Sequence, residues 1–365
     1  MKLIKENRIE KGWMLKMVGI SIRPKPGLEI TGKNGRYLVG QIIGKGGNGS
    51  VFSAQIAYGG ENLPKHESYA IKFLTVNPDD VNELEKRRAR FIKEIQQVMT
   101  IQSNISGIVP IYDDSLCCED SQDLLWYLMP MAKPYSFTKL SPSRKLEQML
   151  QMGHCIKELH DQGYAHRDIK PKNLLLLEGR LCLSDFGLVW NTNDTDEHIT
   201  EVNDFLGPQA IRPPELQPVG KIDGVDYRKS DVYLYAKTLW MVLNNNNSGF
   251  HAEYNRTRND VYINKDKFEF ETAEPLHCLM EESTKHNYWE RPDIDKCLEY
   301  IEAQLSVASG IVMSKTLMQW KYMEQVKHNS SAMLPDEKLS KDPIIILNTL
   351  NNFAGTAGLV EEDRY

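Results

Sequence analysis

The sequence predicts an α+β fold in two parts: a small antiparallel sheet with one main helix, followed by a larger, mainly helical part. Two observations lead to this expectation. Strand patterns rich in β-branched and aromatic residues crowd the segment before residue 130, which contains a single long helical pattern. After residue 130 a helical pattern at residues 146–159 is followed by one short hairpin. The 365 residues, 41% of them hydrophobic, are ample for one large or two small domains.

Composition and charge exclude several classes of protein. The formal net charge is −6, so no broad basic field exists to hold nucleic acid by its phosphates. A short basic run at residues 86–90 lies within a helical pattern, as is typical of a solvated helix face. No apolar run approaches the roughly 18 residues of a membrane span, and the first residues lack a signal peptide's apolar region. The six cysteines show no C-x-x-C spacing. We therefore expect a cytoplasmic protein with reduced thiols, no nucleic-acid partner and no membrane span.

The chain divides into three segments. Residues 1–36 contain turn signals and are predicted to form an N-terminal extension. Residues 37–305 carry the regular patterns described below. Residues 306–365 form a C-terminal tail without a motif that indicates its function, and a protein partner for this tail is left open.

The main segment begins with two strands around a glycine-rich loop. Residues 37–43 and 50–56 have strand patterns, and glycines at 44, 46 and 49 between them follow the order G-x-G-x-x-G. A Rossmann fingerprint requires a helix after these glycines, whereas the residues here continue a strand. Such a hairpin can close over phosphates with its backbone N–H groups, because glycine has no Cβ to block the approach.

A lysine lies at the centre of the next strand, residues 69–73. Taken alone, Lys72 would face solvent on an alternating strand. The helix predicted over residues 79–102 offers Glu94 beside its apolar stripe, and this carboxylate can hold the ammonium group of Lys72. Residues 108–112 and 124–129 are predicted as further strands, and residues 130–132 as the connection to the helical part.

The helical part leads, through a helix at residues 146–159, into a polar loop and a hairpin. Residues 174–177 and 181–184 are the predicted strands and residues 178–180 the turn, so Asn173 and Asp185 meet at one end. An amide oxygen and a carboxylate are hard ligands that suit Mg²⁺ carrying substrate phosphates. Asp168 lies close by and can accept a proton, and Lys170 can neutralise developing charge. The alternative is that both aspartates are turn formers, as most loop aspartates are.

These motifs resemble those of the protein kinases. The loop matches H-R-D-x-x-x-x-N, and Asp185 begins D-F-G; residues 212–215 resemble A-P-E, and residues 229–233 resemble the start of the long central helix. The resemblance implies a two-lobed protein kinase fold, with an N-lobe of residues 37–130 and a C-lobe of residues 133–305. Lys170 within D-I-K-P-K-N is similar to the serine/threonine branch, of the eukaryotic-like (Hanks-type) kind.

The resemblance also implies a role for each residue of the loop and hairpin. Asp168 is then the catalytic base, and Lys170 contacts the γ-phosphate of ATP. Lys72 contacts the α- and β-phosphates and pairs with Glu94. Asn173 and Asp185 hold Mg²⁺.

The implied ATP site is formed by the glycine-rich loop, the sheet and the connection between the lobes. Ala132 makes the paired backbone contact with adenine, since Pro130 lacks an N–H group. The predicted ATP-binding residues are Ile43, Gly44, Lys45, Gly46, Gly47, Asn48, Gly49, Val51, Ala70, Lys72, Met129, Pro130, Ala132 and Leu175.

Two stabilising contacts follow from the same resemblance. Asp231, in the central helix, is expected to bind the backbone of the catalytic loop. Arg291 is expected to form a buried ion pair with Glu215 of the segment that resembles A-P-E.

In the family, an arginine beside the base marks kinases whose activation segment is ordered by a phosphothreonine. Arg167 is that arginine here, and Arg90, four residues before Glu94, matches a residue that often reaches the phosphate. Counting back 11 residues from Glu215 gives Asp204 in place of the threonine. We therefore predict that Asp204 acts as a fixed anion with one charge. The alternative is that Asp204 is a solvated loop aspartate and that Thr200 or Thr195 is the switch; Thr192 belongs to the same activation segment.

The predicted reaction is transfer of the γ-phosphoryl group of Mg·ATP to serine and threonine hydroxyls of proteins, including this one. Two departures from the family are present: Pro208 stands where a threonine is usual, and Ala236 where a glycine is usual. A small-molecule phosphotransferase is disfavoured by the glycine-rich loop and by Arg167. A pseudokinase scaffold is disfavoured because Lys72 and the three polar residues of the loop and hairpin are intact.

Overall fold

A computed structural model describes residues 24–46, 49–74, 81–116, 124–192, 209–217, 224–268, 270 and 272–308. The C-terminal tail after residue 308 lies outside the described residues. Among the helices that are described, none combines the length and the apolar character needed to cross a membrane.

The first lobe is built on a six-stranded antiparallel sheet in the order β1-β2-β3-β4-β6-β5. Its strands are β1 Glu29–Thr31, β2 Gly35–Gly46, β3 Gly49–Gly59, β4 Tyr69–Phe73, β5 Asp113–Asp114 and β6 Trp126–Pro130. The sheet starts before residue 37, because β1 pairs with β2. Asp113 holds this corner through Lys33 N (3.1 Å), Asn34 N (2.8 Å) and the Tyr37 hydroxyl (2.5 Å).

All five residues of β4 are buried, yet the two faces of the strand differ in chemistry. Tyr69, Ile71 and Phe73 join an apolar cluster on one face of the sheet. Ala70 and Lys72 point to the opposite face, since side chains alternate along a strand. This alternation explains how a lysine can occupy the centre of an otherwise apolar strand.

Helix α1, Val81–Ile101, packs through the predicted apolar stripe. Its members are each at most 2% exposed: Phe91, Ile95, Val98 and Ile101. The helical spacing therefore predicted the buried face of α1 correctly.

The predicted strand at residues 108–112 is wrong. Ile108 forms one isolated parallel bridge with Leu183, and the strand of this region is β5. Ile111 is buried, but its N–H and carbonyl bond to the side-chain amide of Gln102, at 2.8 and 3.1 Å. Val109 N donates to Leu183 and Tyr112 N to Leu128, which lie on two different strands, so no continuous ladder forms along this buried apolar segment.

The second lobe is mainly helical, which confirms the predicted fold class. Its helices are α2 Pro142–Asp161, α3 Tyr227–Asn244, α4 Glu274–Ser283 and α5 Ile294–Ala308. Its short strands are β7 Lys133–Pro134, β8 Tyr164–Ala165, β9 Leu174–Leu177, β10 Arg180–Leu183 and β11 Trp190–Asn191. Helix α2 begins earlier than predicted because Ser141 caps it, accepting from Arg144 N at 3.2 Å, and Pro142 occupies its first turn.

Candidate active site

The lysine of β4 is held by a glutamate of α1. Lys72 Nζ donates to Glu94 Oε1 at 2.8 Å and to Oε2 at 3.0 Å, so the predicted pairing is confirmed. The Tyr127 hydroxyl donates to Glu94 Oε1 at 2.9 Å and fixes the carboxylate from β6. Lys72 Nζ also lies 3.3 Å from Asp185 Oδ1. Burial alone would lower the pKa of Lys72, but the two carboxylates more than offset it and hold that pKa above its usual value.

Strand register places four of the predicted ATP-site residues on the face that carries this lysine. Val51 lies directly opposite Lys72, and Met129 directly opposite Ala70. Residues that face each other across antiparallel strands point to the same side. Ala70 is only 1% exposed, and its small side chain adds little bulk to this face.

The other described residues of the predicted ATP site lie on the glycine-rich loop, on β9 and on the connection between the lobes. Leu175 lies on β9, which pairs with β7 just after Pro130 and Ala132. In the glycine-rich loop, Lys45 pairs with Ser50 and Gly46 with Gly49, while Ile43 is 49% exposed. A Cβ at Gly49 would lie 2.4 Å from the carbonyl oxygen of Phe73, so only glycine fits there. Gly47 and Asn48 lie outside the described residues.

Helix α3 holds the catalytic loop through hydrogen bonds to the loop's backbone. Asp231 accepts from the N–H groups of His166 and Arg167, both at 2.7 Å, as expected from the sequence. His160 Nε2 lies 3.1 Å from the same carboxylate. Burial lowers the pKa of His166, whose neutral ring donates to the Ser184 carbonyl at 3.2 Å. The loop is thereby tied both to α3 and to the end of the hairpin.

The carboxylate of Asp168 is surrounded by donors from its own loop. Lys170 Nζ lies 2.8 and 2.6 Å from its two oxygens, and Asn173 Nδ2 lies 2.9 Å from Oδ2. Burial raises the pKa of Asp168 to about 6, although Lys170 opposes the rise. A carboxylate with a pKa near neutrality can both accept and release a proton under ordinary conditions.

The hairpin brings Asn173 and Asp185 to one end, as predicted. Leu174 pairs with Leu183, and Ser184 N donates to the Asn173 carbonyl at 2.9 Å. The turn is shorter than predicted, because Glu178 and Gly179 both have positive φ and Arg180 already belongs to β10. Asp185 itself has φ +67°.

The donor set at this end of the hairpin fits Mg²⁺. Both Nδ2 hydrogen bonds of Asn173 point towards Asp168, which leaves the amide oxygen for another ligand. Burial disfavours the charged form of Asp185, but the ammonium groups of Lys72 and Lys170 outweigh it and keep the pKa of Asp185 below its usual value. One ionised carboxylate and one amide oxygen match an ion that takes its other ligands from phosphates and water.

The predicted activation residues are only partly described. Arg90 and Arg167 are both buried, and the main-chain N–H of exposed Thr192 donates to the Gly163 carbonyl at 2.9 Å. Thr195, Thr200 and Asp204 lie outside the described residues. The fixed-anion hypothesis therefore stays a prediction, as do the roles of the ATP and metal residues.

A family model described as the protein kinase domain matches residues 37–303. The chain belongs to the protein kinase family. The predicted membership of the eukaryotic-like serine/threonine branch is confirmed by the relatives that this kinase matches.

Three of these relatives are bacterial proteins. The kinase is 27% identical to a probable serine/threonine-protein kinase of Streptomyces coelicolor over 217 residues, which cover 57% of this chain and 30% of that protein. It is 28% identical to the DNA damage-responsive serine/threonine-protein kinase RqkA of Deinococcus radiodurans, with the same coverage of 57% and 30%. It is 29% identical to the serine/threonine-protein kinase PrkC of Bacillus subtilis over 58% of this chain and 30% of that protein. The kinase thus matches less than a third of the length of each relative.

Sequence reasoning missed one residue that holds this kinase site in place and another that holds a corner of the same lobe. Tyr127 fixes Glu94, and Asp113 fixes the β1–β2 corner. The register that sets Tyr127 opposite Lys72 is a property of paired strands, and single-strand alternation does not reveal it.

Proposed function

We propose that this kinase transfers the γ-phosphoryl group of ATP, with Mg²⁺, to serine and threonine hydroxyls of proteins, including its own chain. The observation that carries this proposal is a direct contact between charged residues of the two lobes. Lys72 bonds to Glu94 in the first lobe and approaches Asp185 of the second lobe to within 3.3 Å. The lysine to which we assign phosphate binding and the carboxylate to which we assign metal binding are therefore in direct contact.

Each charged residue of the cleft can perform one part of the transfer. Lys72, oriented by Glu94, binds phosphate oxygens of the nucleotide and fixes its position. Asp168 accepts the proton of the attacking hydroxyl and aligns that oxygen with phosphorus. Lys170, which lies against Asp168, stabilises negative charge on the transferring group.

Asn173 and Asp185 would hold Mg²⁺, which supplies neutralisation of the phosphate charge when it is bound. Asn173 has a second task, since its amide group orients the Asp168 carboxylate at 2.9 Å. Most of the rate enhancement then comes from positioning and charge stabilisation, because phosphoryl transfer asks for little covalent participation by the protein.

We also propose that the kinase works in the cytoplasm. The four cysteines among the described residues, at positions 155, 182, 278 and 297, are all free thiols. Unpaired cysteines suit a reducing compartment.

The activity can be tested by mass. The full chain is treated with a phosphatase, purified from it and incubated with Mg·ATP. Its mass is then measured by mass spectrometry beside that of an Asp168→Asn control. We expect phosphate to be gained by the parent only, on serine and threonine. ATP binding without any transfer would instead indicate a scaffold, and turnover confined to small hydroxyl compounds would indicate a small-molecule kinase.

A further inference from the structure

The first two turns of α3 present two different groups to the catalytic loop. Asp231 binds the loop through the N–H groups of His166 and Arg167. Tyr227, one helical turn earlier, contacts the side chain of Arg167: the guanidinium carbon lies 4.3 Å from the centroid of the tyrosine ring. This distance is well within the range of a cation–π interaction.

The ring of Tyr227 is itself held in place by a second aromatic residue. Trp190 meets it edge to face, with ring centroids 5.2 Å apart and an angle of 73° between the planes. Trp190 lies on β11 and pairs with Ala165, two residues before Arg167. Trp190 therefore contacts Tyr227 through its side chain and is joined to the catalytic loop through its backbone.

Arg167 needs such support because its backbone is strained. Its φ of +65° lies in the left-handed region, which is unfavourable for a residue with a side chain. Such conformations persist when the surrounding structure determines them from more than one side. Here Asp231 holds the backbone N–H of Arg167, and the ring face of Tyr227 receives the Arg167 side chain. The residue that follows Arg167 is the proposed base, Asp168.

We propose that Tyr227 is a positioning residue for phosphoryl transfer. Its ring face seats the guanidinium group of Arg167 and thereby fixes the orientation of the catalytic base, Asp168, by a contact that contains no phosphate. This inference rests on the proposed kinase activity.

The test compares Tyr227→Phe, which keeps the ring face, with Tyr227→Leu, which keeps apolar bulk without it. Full-length, phosphatase-treated proteins are assayed with Mg·ATP and dephosphorylated casein. We expect kcat to fall about tenfold in Tyr227→Leu, with KM for ATP within about twofold of the parent and kcat of Tyr227→Phe nearly unchanged. The matched control is Tyr58→Ala, because Tyr58 also receives an arginine, Arg36 at 5.1 Å, but lies on β3 and is 71% exposed. Equal kcat values for the Phe and Leu variants would overturn the proposal.

Hydrogen exchange of the 164–170 backbone separates this inference from the proposed function. Faster exchange in Tyr227→Leu, but not in Tyr227→Phe or Tyr58→Ala, is expected whether or not the protein is active. If the parent transfers no phosphate, the proposed function fails, and the exchange comparison still decides whether Tyr227 holds the loop. Unchanged exchange in Tyr227→Leu refutes the positioning role even in an active kinase.

Discussion

Loss of the buried ion pair between Arg291 and Glu215 should strongly destabilise this kinase. The two side chains are 0% and 2% exposed, and the guanidinium group donates to both carboxylate oxygens, at 2.6 and 2.9 Å. The Ser230 hydroxyl donates to the same carboxylate at 2.6 Å. The other N–H groups of the arginine donate to main-chain carbonyls, those of Lys229, Lys285 and His286.

Arg291→Met removes the positive partner and leaves Glu215 buried with only the Ser230 hydroxyl among these donors. Breaking a buried pair in this way costs about 3–5 kcal/mol. For a domain of this size, each kcal/mol lowers Tm by roughly 2–4 °C, so we expect a fall on the order of 10 °C. Dispersion lost with the long side chain adds to the effect, but methionine replaces most of that volume.

The matched control is a second arginine–glutamate pair with a similar contact distance. Arg144 and Glu147 lie 2.7 Å apart on α2, but the side chains are 54% and 50% exposed. An exposed pair contributes less than about 1 kcal/mol, so Arg144→Met should lower Tm by no more than a few degrees. Both variants are measured by calorimetry in one buffer after phosphatase treatment. If their Tm values agree within about 2 °C, the reasoning from burial is refuted.

Three further predictions concern the active site. Lys72→Ala should abolish phosphoryl transfer while the protein remains folded by circular dichroism, because its ammonium group serves phosphate contact and the pairing with Glu94. Its Tm should also fall, because Glu94 stays buried without its cation, and only loss of the folded state at the assay temperature would mark Lys72 as structural. Because the pKa of Asp168 is raised to about 6 and its deprotonated form is the base, kcat/KM should fall about tenfold per pH unit below pH 6 and level off above pH 7; a flat profile from pH 5 to 8 would contradict this assignment. Asp204→Ala should lower the initial rate of dephosphorylated protein several-fold, and an unchanged rate, or a parent that is inert until a threonine is phosphorylated, would remove the fixed-anion hypothesis.

The sequence by itself determined the fold class, the order of the main elements and most of the candidate site. These features depend on short-range patterns. The apolar spacing of α1 selects its buried face, and the hairpin that starts after Asn173 must return the chain to Asp185, because two short strands and a tight turn allow little else. Motif order then places the catalytic residues on loops whose ends are already defined.

Tertiary structure decided the contacts between residues that are distant in the chain. The backbone N–H of Ile111 donates to the side chain of Gln102, and this apolar segment does not form the predicted strand. Tyr127 reaches Glu94 only because β6 pairs with β4 in one register. Tyr227 lies 60 positions after Arg167 in the sequence. Its ring contacts the guanidinium group of Arg167 because α3 packs against the catalytic loop. Helical and strand periodicity specify which side of an element is buried, whereas the partner on that side depends on how separate elements pack.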